Sequence, residues 1–575
     1  MDKKVLSAVF DDIALLLELK GENPFKIKAY TNAARVLELL DEDIDDLIRQ
    51  DRLEDIKGIG KAIADKIREF AATGHLGFYE ELKSKVPESI LDMLKIPGVG
   101  PKKVKLLYEK LNIKSIGELE YACIENRLLS IEGFGKKTQE NILKGIEHIK
   151  KFKGQYLYGD VCEQAQEVLN MLNSSGMLYK CEITGSLRRK KEVVKDIDMV
   201  ASAENPQELV EYFTSLPMVE EVGAKGDTKA AVRLKCGINM DLRIVKDFEF
   251  PYVLNHFTGS KEHNTAVRHR AKAMGIKVNE YGLFRGDELI KCRSEEDIYN
   301  TLGLAYIPPE LRENNGEIEA AEEKRLPVLI NAEDIRGLFH IHTTYSDGSN
   351  TIEEYVSEAV RMGMDYIGIT DHSRSAYYAR GLSNEELKRQ LEEIDSLNFK
   401  HKGFRIFKGI ESDILPDGSL DYDEDMLKEF DFVIASVHSG FKLPGDKMTE
   451  RLISSLKNKY TTMLGHLTGR ILLAREAYEL DIHAVIDAAA KYNKIIEINA
   501  DPHRLDLDWR YLKYAREKGV KLSINPDAHN IYGLRNYRYG VGIARKGWLE
   551  SGDVINTLSR DEIISRFREV KYENC

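Results

Sequence analysis

Residues 185–200 read GSLRRKKEVVKDIDMV, and this stretch decides the fold of the middle of the chain. Its second half alternates as a β-strand does, so Asp196 and Asp198 point to one face and their apolar neighbours point to the other. Two carboxylates on one face repel each other unless a cation lies between them, and Mg²⁺ prefers such oxygen ligands. Asp241, in a second predicted strand, is a candidate third ligand. The stretch therefore predicts a divalent-cation site on an α+β sheet.

Three carboxylates on a sheet suit in-line phosphoryl transfer with two metal ions about 3.5–4 Å apart. One ion would activate a 3′-hydroxyl, and the other would hold a triphosphate and its leaving pyrophosphate. Ser186 and Arg189 follow a turn at Gly185 and are suited to bind those phosphates. An isolated Asp-x-Asp is more often a polar strand end, but the Gly-Ser-x-x-Arg ahead of it and the third aspartate favour the catalytic interpretation.

The sequence pattern from about residue 151 to 315 predicts an α+β region, because β-rich runs alternate with helical stretches. Runs 193–201, 230–235 and 238–245 are predicted strands, and 161–172 is a predicted helix. Residues 313–326 are acidic and poor in aromatic residues, which is typical of a linker or a solvated helix.

Residues 1–150 are predicted to be helical, and one glycine pattern recurs in them three times. The glycines are Gly58 and Gly60, Gly98 and Gly100, and Gly133 and Gly135. Each copy precedes a predicted helix that carries lysine, so backbone N–H groups and a helix N-terminus can approach a phosphate. One copy would be an ordinary turn between helices. Three copies indicate helix-hairpin-helix motifs, which hold a DNA backbone without reading its sequence.

Beyond about residue 333, short apolar runs repeatedly end in histidine or an acid. The residues at these ends are His340, His342, Asp347, His372, Glu411, His438, His466, Asp527 and His529. Helical stretches separate the runs, so the pattern predicts a parallel βα barrel with its chemistry at one mouth. Imidazole and carboxylate together suit Zn²⁺, Mn²⁺ or Fe²⁺, and the absence of cysteine from the set disfavours a purely structural zinc site.

Composition sets the remaining bounds. A chain of 575 residues with 42% hydrophobic residues is long enough for several globular domains. The net charge of −12 argues mildly against a nucleic-acid partner, in opposition to the hairpin motifs. No apolar run approaches the ~18 residues of a membrane span, and the N-terminus meets acids too early for a signal peptide. The cysteines form no C-x-x-C pair, which favours a reducing cytoplasm.

Residues 1–315 resemble the family-X DNA polymerases. Besides the aspartates, the segment from His256 to Arg268 is similar to the nucleotide-pocket motif of that family. The resemblance implies nucleotide- or DNA-binding roles for Phe257, Gly259, Ser260, Asn264 and Arg268, with Arg268 on the template side. His256 stands where polymerases of the beta type have tyrosine, so sugar selectivity does not carry over.

The N-terminal module resembles the lyase domain of the same family, in which a lysine forms a Schiff base with an abasic sugar. Lys66 matches that lysine, and Lys26 and Tyr30 match neighbours of its site, but Ala62 replaces a supporting lysine. A Schiff-base lysine needs a lowered pKa, so the alternative that Lys66 only contacts phosphate stays open.

Residues 333–570 resemble the polymerase and histidinol phosphatase (PHP) domain, a distorted βα barrel with three metals that activate a water for attack on phosphorus. The resemblance implies one site with His340, His342, Glu411 and Asp527, a second with Asp347, His372 and His529, and a third with Glu411, His438 and His466. Arg504 is either a phosphate ligand or an ordinary surface arginine.

This order of regions is that of bacterial and archaeal family-X polymerases with a PHP domain. It implies an all-α helix-hairpin-helix N-terminal region, an α+β nucleotidyltransferase palm and thumb, and a distorted (β/α)7 barrel. The expected regions are 1–80 (lyase-like), 81–150 (DNA-binding), 151–250 (palm), 251–315 (thumb), 316–333 (linker) and 334–575 (PHP phosphoesterase).

The implied activity is DNA repair by filling short gaps, together with 3′–5′ exonuclease or phosphoesterase activity; cleavage at abasic sites is an open addition. The implied cofactors are Mg²⁺ or Mn²⁺ at the aspartates and up to three Zn²⁺ or Mn²⁺ ions in the barrel. The implied partners are gapped or nicked DNA, primer 3′ ends and dNTPs, with no membrane. A monomer in the cytoplasm, associated with the nucleoid, is expected.

Two other interpretations compete with this one. The barrel could be a small-molecule phosphatase with the N-terminal half as a DNA tether, or the whole chain could be a non-catalytic scaffold for DNA ends. The aspartate trio and the nucleotide-pocket segment oppose the first. Two full sets of metal-ligand residues oppose the second, because clustered like charges are costly to keep without a use.

Overall fold

The computed structural model describes residues 3–40, 44–84, 88–96, 98–150 and 154–572. Two compact units divide the chain: Met1–Cys123 with Ile131–Ile149, and Ile124–Ser130 with Lys150–Cys575. Within the described residues, no helix has the length and apolar character needed to cross a bilayer.

The first unit is helical, as predicted. Its described helices are Lys3–Lys20, Pro24–Leu39, Ile44–Arg49, Lys61–Thr73, Gly77–Ser84, Glu88–Asp92, Pro101–Leu111, Ile116–Ile124 and Lys136–Lys150. Each predicted glycine hairpin leads into one of them, at Lys61, Pro101 and Lys136. The helix Lys61–Thr73 buries Ile63 and Ile67, four residues apart, against the core of this unit.

The second unit begins with a five-stranded mixed sheet. Its strands, in spatial order, are Lys180–Ile183, Asp196–Ser202, Asn239–Val245, Lys229–Leu234 and Val219–Lys225. Packed around them are the helices Tyr158–Ser174, Gly185–Arg188 and Pro206–Thr214, and a short pairing joins Tyr156–Leu157 to Val193–Val194. The three predicted strands and the predicted helix are confirmed to within a few residues. Asp196–Ser202 runs parallel to Asn239–Val245, so the amino ends of both strands, which carry Asp196, Asp198 and Asp241, lie side by side.

Next comes a smaller α+β region. Its helices are Phe250–Thr258, Lys261–Ala273, Glu295–Thr301 and Glu317–Glu322, and its antiparallel strands are Glu288–Ile290, Gly282–Arg285 and Lys277–Asn279. The prediction of a linker or solvated helix was wrong for Glu317–Glu322. Glu317 is fully buried and its carboxylate accepts hydrogen bonds from the backbone N–H groups of Asn314 and Asn315. The acidic composition of residues 313–326 did not reveal that backbone N–H groups would stabilise the buried charge of Glu317.

Seven parallel strands in chain order form the C-terminal barrel, as predicted. They are Gly337–Leu338, Tyr366–Ile369, Arg405–Asp413, Phe432–Ser436, Met463–Leu464, Ile495–Asn499 and Leu522–Asn525. A parallel bridge between Ile341 and Ala528 joins the first strand to the last and closes the ring. The helices are Ile352–Arg361, Asn384–Lys400, Glu424–Leu427, Gly445–Lys457, Ile482–Lys491, Trp509–Glu517, Tyr537–Lys546 and Arg560–Tyr572.

An aromatic cluster fills the barrel at the end away from the histidines. Phe339 lies 5.1 Å from Phe432, and Phe432 stacks at 5.1 Å on Phe567 of the last helix. Gly368 leaves room for this packing, because a Cβ there would lie 2.5 Å from Phe339 and 2.6 Å from Phe432. A rigid, apolar floor therefore supports the polar mouth above it.

We expect Gly368→Ala to lower the free energy of unfolding of the barrel by about 1–3 kcal/mol, because the added methyl group overpacks the aromatic floor. Trp509 and Trp548 are the only tryptophans in the chain and both lie in the C-terminal region, so urea unfolding followed by tryptophan fluorescence reports on it. Gly403→Ala is the matched control, since nothing lies within 4 Å of a Cβ at that position. Equal stability of the two variants would contradict the packing described for the floor.

Candidate active sites

The predicted aspartates lie together at the amino ends of the second and third strands of the five-stranded sheet, and this end of the sheet is called the sheet edge below. Asp198 and Asp241 are register partners on neighbouring parallel strands, and Asp196 lies two residues before Asp198 on the same face. Burial, followed by the nearby charges of Asp196 and Asp241, raises the pKa of Asp198 to about 6. The Nζ atom of Lys229 lies 3.1 Å from Asp241 Oδ2 and offsets part of this negative charge. The edge is thus a place where a divalent cation would relieve carboxylate repulsion.

The glycine turn ahead of the strand is built around Asp198. Gly185 has φ of +63°, and a Cβ there would lie 2.7 Å from Asp198 Oδ2, so only glycine fits this close approach. The turn continues into the short helix Gly185–Arg188, in which half-buried Ser186 directly follows Gly185.

Arg189, the predicted phosphate ligand, is buried and already has partners. Its Nε donates to Glu313 Oε1 at 3.1 Å, and its Nη1 donates to the carbonyl oxygen of Thr258. Thr258 immediately precedes Gly259, so this contact joins the glycine turn to the predicted nucleotide-pocket segment.

The predicted nucleotide-pocket segment spans two helices that meet at Gly259 and Ser260. Ser260 caps the second helix by accepting a hydrogen bond from the N–H of His263. Asn264 Nδ2 donates to the carbonyl oxygen of His256 at 2.8 Å.

The side chains of this segment line one cleft or lie beside it. His256, Asn264 and Arg268 line the cleft together. Phe257 lies outside it, with the guanidinium of Arg243 4.6 Å from the centre of its ring. The structure thus brings His256, Asn264 and Arg268 to one cleft and places Phe257 against Arg243 of the central strand Asn239–Val245.

In the barrel, every predicted metal-ligand residue lies at the mouth formed by the carboxyl ends of the strands. The side chains whose ligand atoms lie within 4.8 Å of one another form four overlapping groups: His342, Asp347, His372 and His529; His340, His466 and Asp527; His340, His342 and Glu411; and His372, Glu411 and His438. Two histidines are grouped differently from the prediction. His342 lies with Asp347, His372 and His529 as well as with His340 and Glu411, and His466 lies with His340 and Asp527.

The chemistry of this donor set fits metal ions. Several of its buried nitrogen and oxygen atoms have no hydrogen-bond partner among the described residues: Nε2 of His340 and His529, both ring nitrogens of His342 and His372, Oδ2 of Asp347 and Oε2 of Glu411. Each buried polar group without a partner destabilises a folded protein by roughly 1–3 kcal/mol. Divalent cations would satisfy these lone pairs together.

Hydrogen bonds from behind orient the rings. His340 Nδ1 lies 2.6 Å from Glu497 Oε2, and His438 Nδ1 lies 2.6 Å from Asp413 Oδ1. Each contact turns the other ring nitrogen toward the centre of the mouth, as in carboxylate–histidine–metal arrangements. Sequence reasoning missed Glu497; its only signal was a single acid inside the apolar strand Ile495–Asn499.

The carboxylate of Glu411 lies among the histidines of the mouth. Burial opposes ionisation of Glu411, but the surrounding His438, His340 and His372 outweigh it and hold the pKa of Glu411 well below its ordinary value.

His340 and Asp527 adopt positive φ angles of 61° and 51°, which are unusual for residues other than glycine. Backbone strain of this kind persists where the surroundings fix a functional side chain.

Residues outside the predicted set border the mouth. Arg504 is only 2% exposed and its Nε lies 3.7 Å from Asp527 Oδ2, so the alternative of a surface arginine was wrong. Residues Ile124–Ser130 belong to the same compact unit, and Asn126 Nδ2 donates to the carbonyl oxygen of Asp347 at 3.0 Å. Arg127 lies over the ring of Tyr378 at 4.7 Å. No sequence pattern predicted that this hairpin segment would reach the barrel.

In the first unit, Lys66 lies among its predicted neighbours. Its Nζ is 5.0 Å from the centre of the Phe78 ring, Lys26 Nζ is 5.5 Å from the same ring, and buried Tyr30 stacks on it. Gly60 and Gly100 are the N-caps of their helices and no side chain caps either one, so backbone N–H groups are presented to an anion.

We expect Asp198→Asn to stabilise the protein in EDTA at pH 8. The pKa of Asp198 is about 6 when folded and lies near 3.9 in an unfolded chain, so its ionised form costs stability above pH 6 and costs none below about pH 4. Because the side chain is partly solvated, the gain should be about 1–2 kcal/mol rather than the ~3 kcal/mol that two pKa units represent.

Thermal unfolding followed by circular dichroism measures this gain, and Asp227→Asn in a turn of the same sheet is the control. Added Mg²⁺ should stabilise the wild type more than Asp198→Asn. A variant that is less stable than the wild type in EDTA would contradict the repulsion described at the sheet edge.

Several parts of the chain match known families. Residues 1–76 match a helix-hairpin-helix domain and residues 90–147 match a SAM-like helix-hairpin-helix tandem. Residues 253–313 match the DNA polymerase beta thumb, and residues 339–501 match the PHP domain.

Similar proteins match either nearly the whole chain or about a third of it. The "probable phosphatase" of Thermoanaerobacter sp. (strain X514) is 31% identical over 38% of this chain and 89% of its own length. A "probable phosphatase" of Caldicellulosiruptor saccharolyticus is 35% identical over 33% of this chain and 78% of its own. The DNA polymerase/3′-5′ exonuclease PolX of Bacillus subtilis is 40% identical over 98% of this chain and 99% of its own length. The chain therefore belongs to the PolX family, in which a family-X polymerase region is followed by a PHP domain.

Proposed function

We propose that this protein fills short DNA gaps by template-directed addition of dNTPs and trims 3′ ends in its barrel. The observation that carries the proposal is the presence of two separate ligand sets on one chain. One is the register pair Asp198 and Asp241 with Asp196, and the other is the histidine-rich mouth of the barrel. The first set suits phosphoryl transfer to a hydroxyl, and the second suits hydrolysis of a phosphodiester.

At the sheet edge, Asp196, Asp198 and Asp241 would hold Mg²⁺ or Mn²⁺. Such ions, when bound, neutralise the charge of the triphosphate and favour the ionised 3′-hydroxyl. Ser186 and Arg189 would bind the phosphates from the glycine turn. The side chains of the cleft would position the base and sugar, with Arg268 toward the template strand.

At the barrel mouth, the histidines and acids would hold up to three Zn²⁺ or Mn²⁺ ions. Such ions, when bound, increase the acidity of water and accept negative charge from a phosphate. Glu497 and Asp413 keep the rings of His340 and His438 turned toward the centre. Arg504, buried beside Asp527, would draw the scissile phosphate toward the acids.

The remaining predictions belong to the same proposal. The glycine hairpins would hold the backbone of gapped or nicked duplex DNA, and the protein would act as a monomer in the cytoplasm, associated with the nucleoid. The boundaries at residues 80, 150, 250, 315 and 333 stay part of the proposal. Lyase chemistry at Lys66 and cleavage at abasic sites stay predictions; the neighbourhood of Phe78 is where the first would occur.

We expect the two activities to be lost separately. On a gapped, 5′-phosphorylated duplex with Mn²⁺, Asp198→Ala should reduce extension more than about 100-fold and leave trimming intact, because even residues behind metal ligands contribute 10–100-fold. His340→Ala/His342→Ala should show the reverse. Denaturing gels of the labelled primer, with and without dNTPs, measure both reactions.

The matched control for the histidine variant is His483→Ala, since His483 is exposed and contacts Tyr514 on the outer helices. It should trim as the wild type does. Normal trimming by His340→Ala/His342→Ala would overturn the exonuclease assignment. Extension that survives in Asp196→Ala/Asp198→Ala would show that these aspartates do not carry synthesis. Absence of extension by the wild type would leave the alternatives of a tethered phosphatase or a DNA-end scaffold.

A further inference from the structure

One lysine of the barrel is buried against the polymerase region. Lys546, the last residue of the helix Tyr537–Lys546, is only 1% exposed. Its Nζ donates to Glu313 Oε1 at 2.5 Å and to the carbonyl oxygen of Arg189 at 3.1 Å. It also lies 4.7 Å from the ring centre of Trp509. A lysine in such a place needs partners that compensate its lost hydration, and these are all polymerase-side groups except the indole.

Glu313 is shared by two cations. The same Oε1 atom accepts from Lys546 Nζ and from Arg189 Nε, at 2.5 and 3.1 Å. One carboxylate cannot neutralise both cations, so the cluster of three side chains keeps one net positive charge. If Lys546 were neutral, Glu313 would pair with Arg189 alone and the cluster would have no net charge.

The position of Arg189 decides where that charge is used. Arg189 ends the glycine turn that touches Asp198, and its Nη1 donates to the carbonyl oxygen of Thr258, next to Gly259 of the nucleotide-pocket segment. The positive charge of Arg189 is close enough to Asp198 to act on its carboxyl group, and in the proposed function the triphosphate is held beside that carboxylate. The backbone bond from Lys546 to the carbonyl oxygen of Arg189 also restrains the end of the turn.

We propose that Lys546 of the PHP barrel is a positioning residue for nucleotide binding by the polymerase site. It neutralises Glu313 and restrains Arg189, so that the guanidinium keeps its charge for the triphosphate of an incoming dNTP. The inference rests on the proposed function, in which Arg189 is a phosphate ligand. It assigns to the barrel a part in synthesis that is independent of its own metal centre.

The test is steady-state extension of a gapped duplex by the full-length protein with varied dNTP. Lys546→Met should raise KM for dNTP about tenfold, the size of one charge-assisted hydrogen bond, with kcat changed less than about threefold. Lys546→Gln, which keeps a donor but no charge, should show a similar rise. Trimming by the barrel should be unchanged in both variants, which verifies folding.

Two further variants separate charge from packing. Glu313→Gln combined with Lys546→Met should restore KM to within about threefold of wild type, because Arg189 is then released from the carboxylate. Arg545→Met is the matched control. Arg545 neighbours Lys546, and its Nε donates to Glu310 Oε1 at 2.8 Å. Its loss should weaken the contact between the barrel and the polymerase region but leave KM for dNTP unchanged.

Three results would overturn the inference: an unchanged KM in Lys546→Met, a double variant as weak as the single one, or an equal rise in Arg545→Met. Arg189→Met distinguishes this failure from failure of the proposed function. If Arg189→Met raises KM and Lys546→Met does not, only the inference fails. If Arg189→Met leaves KM unchanged, Arg189 is not a phosphate ligand and both fail.

Discussion

Potential metal-ligand groups that the backbone holds close together, carboxylates at the sheet and imidazoles with carboxylates in the barrel, are the constraint on which both sites depend. Asp198 and Asp241 are opposite each other on parallel strands, and the turn at Gly185 packs so closely against Asp198 that a Cβ at Gly185 would lie 2.7 Å from its Oδ2 atom. In the barrel, closure of seven strands brings histidines and acids from successive strand ends to one small mouth. In both places the backbone fixes an arrangement that side chains alone would avoid, and a cation is the simplest way to stabilise it.

The two sites achieve this with different supports. The sheet edge is partly solvated, and the nearby cations Lys229 and Arg189 offset part of its charge. The barrel mouth is buried, so it needs hydrogen-bonded acids behind the rings and an apolar floor below them. An open edge suits a site that must accept a primer, a template and a nucleotide. An enclosed mouth suits one that admits a single strand end.

Local patterns account for what could be predicted from the sequence. The alternation around Asp196, the glycine turns before helices and the histidines at strand ends are short-range signals, and the elements they predict are present at those positions. Contacts across long sequence distances could not be predicted. His340 and Glu497 are 157 residues apart, and Lys546 and Glu313 are 233 apart, so no periodicity relates either pair. The prediction for the acidic segment near Glu317 was wrong for the same reason, since buried Glu317 is paired with His263, 54 residues away.

The central claim, that this chain holds two separate cation centres, is tested most directly by anomalous diffraction from crystals grown with Mn²⁺. The account predicts manganese peaks beside the carboxylates of Asp198 and Asp241, and separate peaks among His340, His342, Glu411 and Asp527. Peaks at only one of the two places, or ions held by other residues, would contradict it.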